Sequence, residues 1–470
     1  MQNQILNRQQ RGLALLIFVG LIITLFLAGI RVANAQDTGI ICTTGTLNGT
    51  NRTITLETTT GYIGTPDDNI VFMWGYAENG QPFQHPSPNL CVNEGETVTV
   101  ILHNTLPADT SIIFPGQNNV LANGVPAQPQ FDGGGTLTSM TDVATANGGS
   151  VTYSFVAENP GTFVYQSGTN PDKQVRLGLF GALIVRPTDH PDWVNNEMDE
   201  LDQPLNTFHP DREFMIMLSE IDPLLNQAVE SGQSFDLKNY QPRYWLINGR
   251  GFPDSLAPNF ASWLPSQPYG ALQLLTEYDP GTNPDWSLVR YIAFGTVDIP
   301  MHPHGKSAHI VGRDGSALAG PNGEDLSFEA FSIPMGPGQT WDGLMRWDDT
   351  QDYDEVDNPV TVDIPAAIDV GFGPLYSGSP YLGQQGNFPV DFTTLNQCGE
   401  YYHISHVHAL HKITSWGTPM TGPITFMRVD PPAPNNCNND PQALQQLIPA
   451  NVTGNYFCSA PKNYSLGKET

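Results

Sequence analysis

Apolar and polar residues alternate in short runs along most of this chain, with a period of two. Over residues 94–102 the run places Val98, Val100 and Leu102 at every second position, as a strand with one buried face requires. Residues 150–155 repeat the pattern. Residues 179–185 are apolar throughout, which suits a strand inside a sandwich. A second set of strands is predicted at 213–218, 244–249, 287–294 and 426–429, with Gly, Pro and Asn clusters between the runs. Helical periodicity is sparse, and only 440–448 offers a short turn of helix. The fold class predicted is all-β, two β-sandwich domains in tandem. Arg186-Pro187 marks a boundary, giving a first domain at 36–188, an Asp-, Pro- and Asn-rich linker at 189–212 and a second domain at 213–430. Residues 431–470 then form a Pro/Asn-rich surface arm.

The leading segment changes where the protein is expected to work. A polar start with Arg8 and Arg11 precedes the apolar stretch 13–30 and then Ala33-Asn34-Ala35, the layout of a signal peptide cleaved after Ala35. An uncleaved anchor is the rival reading. Later segments are too polar to span a bilayer, so the mature chain is expected to be periplasmic or extracellular, without a membrane. The formal charge of −28 disfavours nucleic acid and anionic surfaces and favours cations or basic partners. It equally serves solubility. Five cysteines stand at 42, 91, 398, 437 and 458 without a CxxC, so disulfides are expected rather than a thiolate zinc site. Cys42 with Cys91 is one plausible pair, and two of the last three another.

The histidines carry the candidate chemistry. His85, His103, His190 and His209 are isolated and read as packing or surface residues. The other seven fall in two groups, His302, His304 and His309, and His403, His406, His408 and His411. In a strand, residues i and i+2 share a face, so His302 with His304, and His406 with His408, each project a pair of imidazoles. Two such pairs from neighbouring strands would surround one or two metal ions, and imidazole suits copper, zinc, nickel and iron. His309, His403 and His411 are candidate auxiliary ligands. The alternative use of such stretches is a polar or pH-responsive surface. Lys306 and Lys412 read as solvated surface charges, the alternative being that they raise a metal's potential or attract an anionic substrate.

At this level the chain resembles the multicopper oxidase family over nearly all of its mature length. Gly95-Glu96-Thr97-Val98 is similar to the family's early G-[DE]-x-V strand, and Asn123-Gly124-Val125-Pro126 to its DGVP turn. Pro160-Gly161-Thr162-Phe163-Val164-Tyr165, followed by residues 178–185, resembles PGTFWYHSH and GLYGALIV. Ile247-Asn248-Gly249 and residues 336–342 look like ING and PGQxYD, and the two histidine groups look like HPxHLHG and HCHxxxH. The resemblance implies two cupredoxin-like Greek-key β-sandwiches and copper as cofactor, one or two ions.

Departures from the family pattern limit the activity it implies. The family's four HxH pairs build a trinuclear copper site, and the first domain normally supplies two of them. Here Ile113 and Pro115 stand in the first pair's places, and Gln166 and Gly168 in the second's. Val407, or Ile404 in a shifted register, lies where the type 1 copper cysteine is expected, and Ile299 replaces the leading histidine of HPxHLHG. Three uses of the remaining histidines follow. One is a mononuclear or dinuclear copper site in domain 2, with oxidoreductase or storage activity. The second is a cluster completed by a homologous partner chain, a homo-oligomer being the other assembly considered. The third is a non-catalytic scaffold in a surface assembly. The substrate, small molecule or metal ion, is not named by the sequence.

Overall fold

The computed structural model describes residues 38–198, 205–276, 278, 279, 281, 286–347 and 401–430, with the backbone of two short strands at Ile368–Asp369 and Gly373–Pro374. The leading segment 1–35, the arm 431–470 with its helical turn at 440–448, and Cys398, Cys437 and Cys458 lie outside the described residues.

The N-terminal half builds two sheets. The larger joins β1 (Asn51–Gly64), β2 (Ile70–Glu78), β4 (Thr97–His103) and β5 (Ser150–Val156), with short strands at its edges. The smaller joins β3 (Leu90–Asn93), β6 (Gly161–Gln166) and β7 (Phe180–Arg186). The predicted alternation is what buries Val98, Val100 and Leu102 of β4 and Val151, Tyr153 and Phe155 of β5 between the sheets. β1 pairs in parallel with β4, and β3 in parallel with β7, although neither pair is consecutive in the chain. Such long-range pairings are the crossovers of a Greek key.

The C-terminal half repeats this plan. Its larger sheet runs β13 (Ala308–Arg313), β14 (Thr340–Met345), β11 (Ser287–Ala293), β8 (Glu213–Ile221) and β9 (Tyr244–Ile247). Its smaller sheet runs β10 (Gln273–Thr276), β16 (Ile424–Asp430), β15 (Tyr401–Val407) and β12 (Met301–Pro303). Again the non-consecutive pairs β8 with β11 and β10 with β16 are parallel. An apolar cluster including Ile216, Leu218, Val289, Tyr291, Met301, Val407 and Phe426 fills the space between the sheets.

The unbroken apolar run at 179–185 now has its explanation. Leu183 and Val185 face the N-terminal core, whereas Phe180, Ala182 and Ile184 pack on Met215 and Met217 of β8 and on Ile292 and Phe294. Both faces of β7 are buried, so no polar alternation survives. Beneath this seam lies a buried charge network. Arg290 donates through Nε to Glu213 (2.6 Å) and through Nη1 to Thr162 (2.7 Å), lies 3.3 Å from Asp342, and Arg186 also binds Glu213. Removing one member of such a set strands a buried charge, at a cost of about 3–5 kcal/mol. The network bridges the two halves, with Thr162 and Arg186 in one and Glu213, Arg290 and Asp342 in the other.

The helix α1 (Pro223–Glu230) was not predicted, yet its start is written in the sequence. Asp222 accepts from Leu224 N at 3.0 Å as the N-cap, and Pro223 occupies the first turn. Cys42 and Cys91 form the expected disulfide, tying the start of the described chain to β3.

Candidate metal centre

The two histidine groups are brought together by strand pairing. β12 runs antiparallel to β15 with Met301 opposite Val407, His302 opposite His406 and Pro303 opposite Ser405. The pairing extends past the strand ends, where His304 N donates to Ile404 O (2.9 Å) and His408 N to Pro300 O (2.8 Å). Met301 and Val407 point into the core and are fully buried. By the same alternation His302, His304, His406 and His408 share the opposite face.

On that face the ligand atoms of His302, His304 and His406 all lie within 4.8 Å of one another. The Nε2 atoms of His304 and His406 are 3.0 Å apart. Two nitrogens bound to a common ion at about 2 Å stand at such a spacing. The ring of His302 sits 4.7 Å from that of His304 and 5.6 Å from that of His406. His408 is exposed at the rim, its ring 5.0 Å from that of His302.

Backbone carbonyls orient two of the rings. His302 Nδ1 donates to Phe331 O, and His406 Nδ1 donates to Val407 O at 2.9 Å. With Nδ1 protonated in each, Nε2 carries the lone pair, which is how metal-binding imidazoles are held in other proteins. Burial, with the neighbouring charges of His406, His302 and His408, lowers the His304 pKa to about 4. His406 is lowered for the same leading reason. His304 and His406 are therefore neutral at pH 7, the state in which imidazole binds a metal.

The other three candidate histidines are placed differently. His403 belongs to the core-facing set with Ser405 and Val407, buried and stacked on Trp347 at 5.4 Å. It still borders the cleft that opens over His302 and His304, because the turn at Gly305 passes directly over its ring. A Cβ at residue 305 would lie 2.3 Å from His403 Nδ1 and φ there is +81°, so glycine is required. His309 is engaged elsewhere, with Glu329 (3.1 Å) and Ser327 (3.0 Å). His411 is exposed on a single 3-10 turn, Leu410–Lys412. Lys412 is a correction. It is not a solvated surface charge but is buried, with Nζ donating to Asp298 O at 2.7 Å. A buried ammonium needs such an acceptor, and charge attraction from Glu220 and Asp298 supports it. Phe331 carried no signal in the sequence, since it contributes only a carbonyl.

The positions equivalent to copper ligands in the N-terminal half are also adjacent in space. Ile113 forms an antiparallel bridge with Gln166, with Ile113 N donating to Gln166 O at 2.8 Å. A Cβ at Gly168 would lie 2.7 Å from Ile113 Cγ2. Here the apolar side chain fills the room.

Comparison with known proteins bears on the fold and on the N-terminal half. Residues 65–190 match the family model of the multicopper oxidases. An L-ascorbate oxidase of Cucurbita maxima is 30% identical over 200 residues, which cover 42% of this chain and 30% of that relative. The iron transport multicopper oxidase fetC of Epichloe festucae is 34% identical over 116 residues, 24% of this chain and 17% of the relative. The matched stretches thus span less than a third of these relatives. Among solved structures, the multicopper oxidase mgLAC superposes with a TM-score of 0.51 at 20% identity, covering 81% of this chain and 86% of that one. That likeness shows a shared cupredoxin-like fold.

Proposed function

We propose that this chain, whose residues 65–190 match the multicopper oxidase family model, is a member of that family and binds copper through His302, His304 and His406, with His408 at the rim. The observation that carries this reading is the 3.0 Å approach of the His304 and His406 Nε2 atoms beside His302. An all-imidazole set of borderline donors suits copper. Copper bound there would supply Lewis acidity and a one-electron couple.

The chain's own residues set the limits of that chemistry. Phe331 and Val407 hold two rings by their carbonyls and so fix which nitrogen is offered. Val407 presents no sulfur, and its side chain is packed in the core. Ile113, Pro115, Gln166 and Gly168 offer no imidazole in the N-terminal half. On this reading one chain lacks both an intact type 1 site and an intact trinuclear site, and its activity is an oxidoreductase or copper-holding one that does without them. A second reading, in which a homologous chain completes the site, is favoured by Phe331 and Leu410, each 67% exposed near the histidines. Export through the leading segment is supported by the Cys42–Cys91 disulfide, a bond of oxidising compartments.

Elemental analysis after copper reconstitution and desalting tests the proposal. The full chain retains copper, and the His302→Ala/His406→Ala protein does not. Fewer than about 0.2 copper ions per wild-type chain would overturn the reading and leave a non-catalytic scaffold. Co-purification with a histidine-complete homologue would favour the second reading.

A further inference from the structure

A second cleft lies away from the histidines, at the seam between the two halves. Its volume is about 190 Å³, and both halves line it. One wall is the stacked pair Phe180 and Phe294, ring centroids 4.1 Å apart. Glu220 and Ser219, near the end of β8, also line it, and they are 4% and 3% exposed. Glu220 Oε1 accepts from Thr296 N (2.9 Å) and Thr296 Oγ1 (2.6 Å). Its Oε2, and the hydroxyl of Ser219, are buried with no hydrogen-bond partner among the described residues. Oε2 would lie 3.2 Å from a Cβ at Gly295, another lining residue, so a side chain there would crowd that oxygen on the cleft side.

Across the seam stands Arg176. Its guanidinium is held 4.2 Å from the centroid of the Tyr240 ring and donates no hydrogen bond among the described residues. The cleft therefore carries an acceptor end, a donor end and an apolar wall. Buried polar atoms of this kind are normally satisfied, and two together in one cleft mark a place built for a polar partner. An acceptor carboxylate calls for a cationic donor, and a free guanidinium calls for a carboxylate. A cavity of about 150 Å³ holds benzene, so this one admits a slightly larger body.

We propose that the cleft binds a small apolar amino acid, of valine to leucine size, with its ammonium on Glu220 and Ser219, its carboxylate on Arg176 and its side chain against Phe180 and Phe294. The site is independent of the histidine cluster. Burial, the leading cause, pushes the Glu220 carboxyl above its usual range despite the pull of Thr296, Lys412 and Arg176.

Calorimetric titration of the full chain with L-leucine, leucinamide and 4-methylpentanoate tests this. Leucine is expected to bind with a Kd below about 5 mM, and each single-ended analogue at least about tenfold more weakly. Glu220→Gln and, on the opposite wall, Arg176→Gln are each expected to weaken leucine by at least about tenfold while keeping the wild-type thermal midpoint. Should Glu220→Gln fail to fold, Arg176→Gln at the half-exposed rim carries the test alone. No leucine binding up to about 50 mM would overturn the proposal. So would leucinamide binding as tightly as leucine, or Arg176→Gln binding it as wild type does.

Discussion

The two halves of the molecule make the same strand pairing and use it for opposite ends. In each, a strand of the smaller sheet (β6, β15) pairs antiparallel with a neighbour that is itself parallel to a third strand. At the end of β6, Ile113 bridges Gln166; at the end of β15, His302 faces His406. By this register Pro115 corresponds to His304, and Gly168 to His408. The core-facing neighbours on the first strand are alike in kind, with Ile112 and Phe114 buried in one half and Met301 and Pro303 in the other, while on the second strand the buried pair is Ser167 and Val407. The imidazoles are gained or lost at the alternate residues. A β-sandwich needs only its inward positions to be apolar, so the outward ones can gain or lose imidazoles while the fold stands.

The largest effects should separate the two faces of β12. Met301→Ala removes a fully buried side chain and is expected to cost about 2–5 kcal/mol by denaturant unfolding. His302→Ala, one residue on, should cost within about 1 kcal/mol yet abolish copper retention. Equal stability losses would break the division between core face and site face.

Restoring a histidine in the N-terminal half tests the comparison from the other direction. Gly168→His must fit a Cβ 2.7 Å from Ile113 Cγ2, an overpacking expected to cost about 1–3 kcal/mol. Adding Ile113→Ala should recover part of that loss, since the two sites share the same space. Simple additivity in unfolding free energy would show that Ile113 does not occupy the ligand's room.

His85 shows what a histidine does when it serves packing. It is fully buried, edge-on to Phe180 at 5.4 Å, and burial lowers its pKa to about 3. The unfolded chain takes up this proton below about pH 6.5 and the folded protein only near pH 3, so its stability is complete above 6.5 and declines as pH falls. Replacing it, as His85→Leu, should flatten the acid limb by up to about 1.4 kcal/mol per pH unit. An unchanged slope would assign the acid loss to other groups. The smallest effect is expected at His309. Its side chain is 25% exposed beside a 57% exposed Glu329, so His309→Ala should shift stability by no more than about 0.5 kcal/mol and leave copper content intact. Lost copper there would widen the site beyond the strand pair.

Much of this was legible in the sequence, and the gaps have physical causes. The alternation at 94–102 and 150–155 and the apolar run at 179–185 located β4, β5 and β7 to within three residues at each end. β1 was missed because threonines at 58–60 blur its alternation, though Ile54, Leu56 and Ile63 are buried. The HxH spacing marked His302, His304, His406 and His408 as one face, since period two is a local property. It could not place His403 and Lys412 in the interior or separate His309 and His411 from the cluster. Those outcomes depend on the Gly305 turn and on packing between distant strands.

The most direct test of the central claim is electron paramagnetic resonance of the full chain loaded with one equivalent of Cu(II). The account predicts a signal with coupling to several imidazole nitrogens, no thiolate-type blue copper signature, and loss of that signal in His302→Ala/His406→Ala. A thiolate-type spectrum, or one that persists unchanged in the double variant, would contradict it.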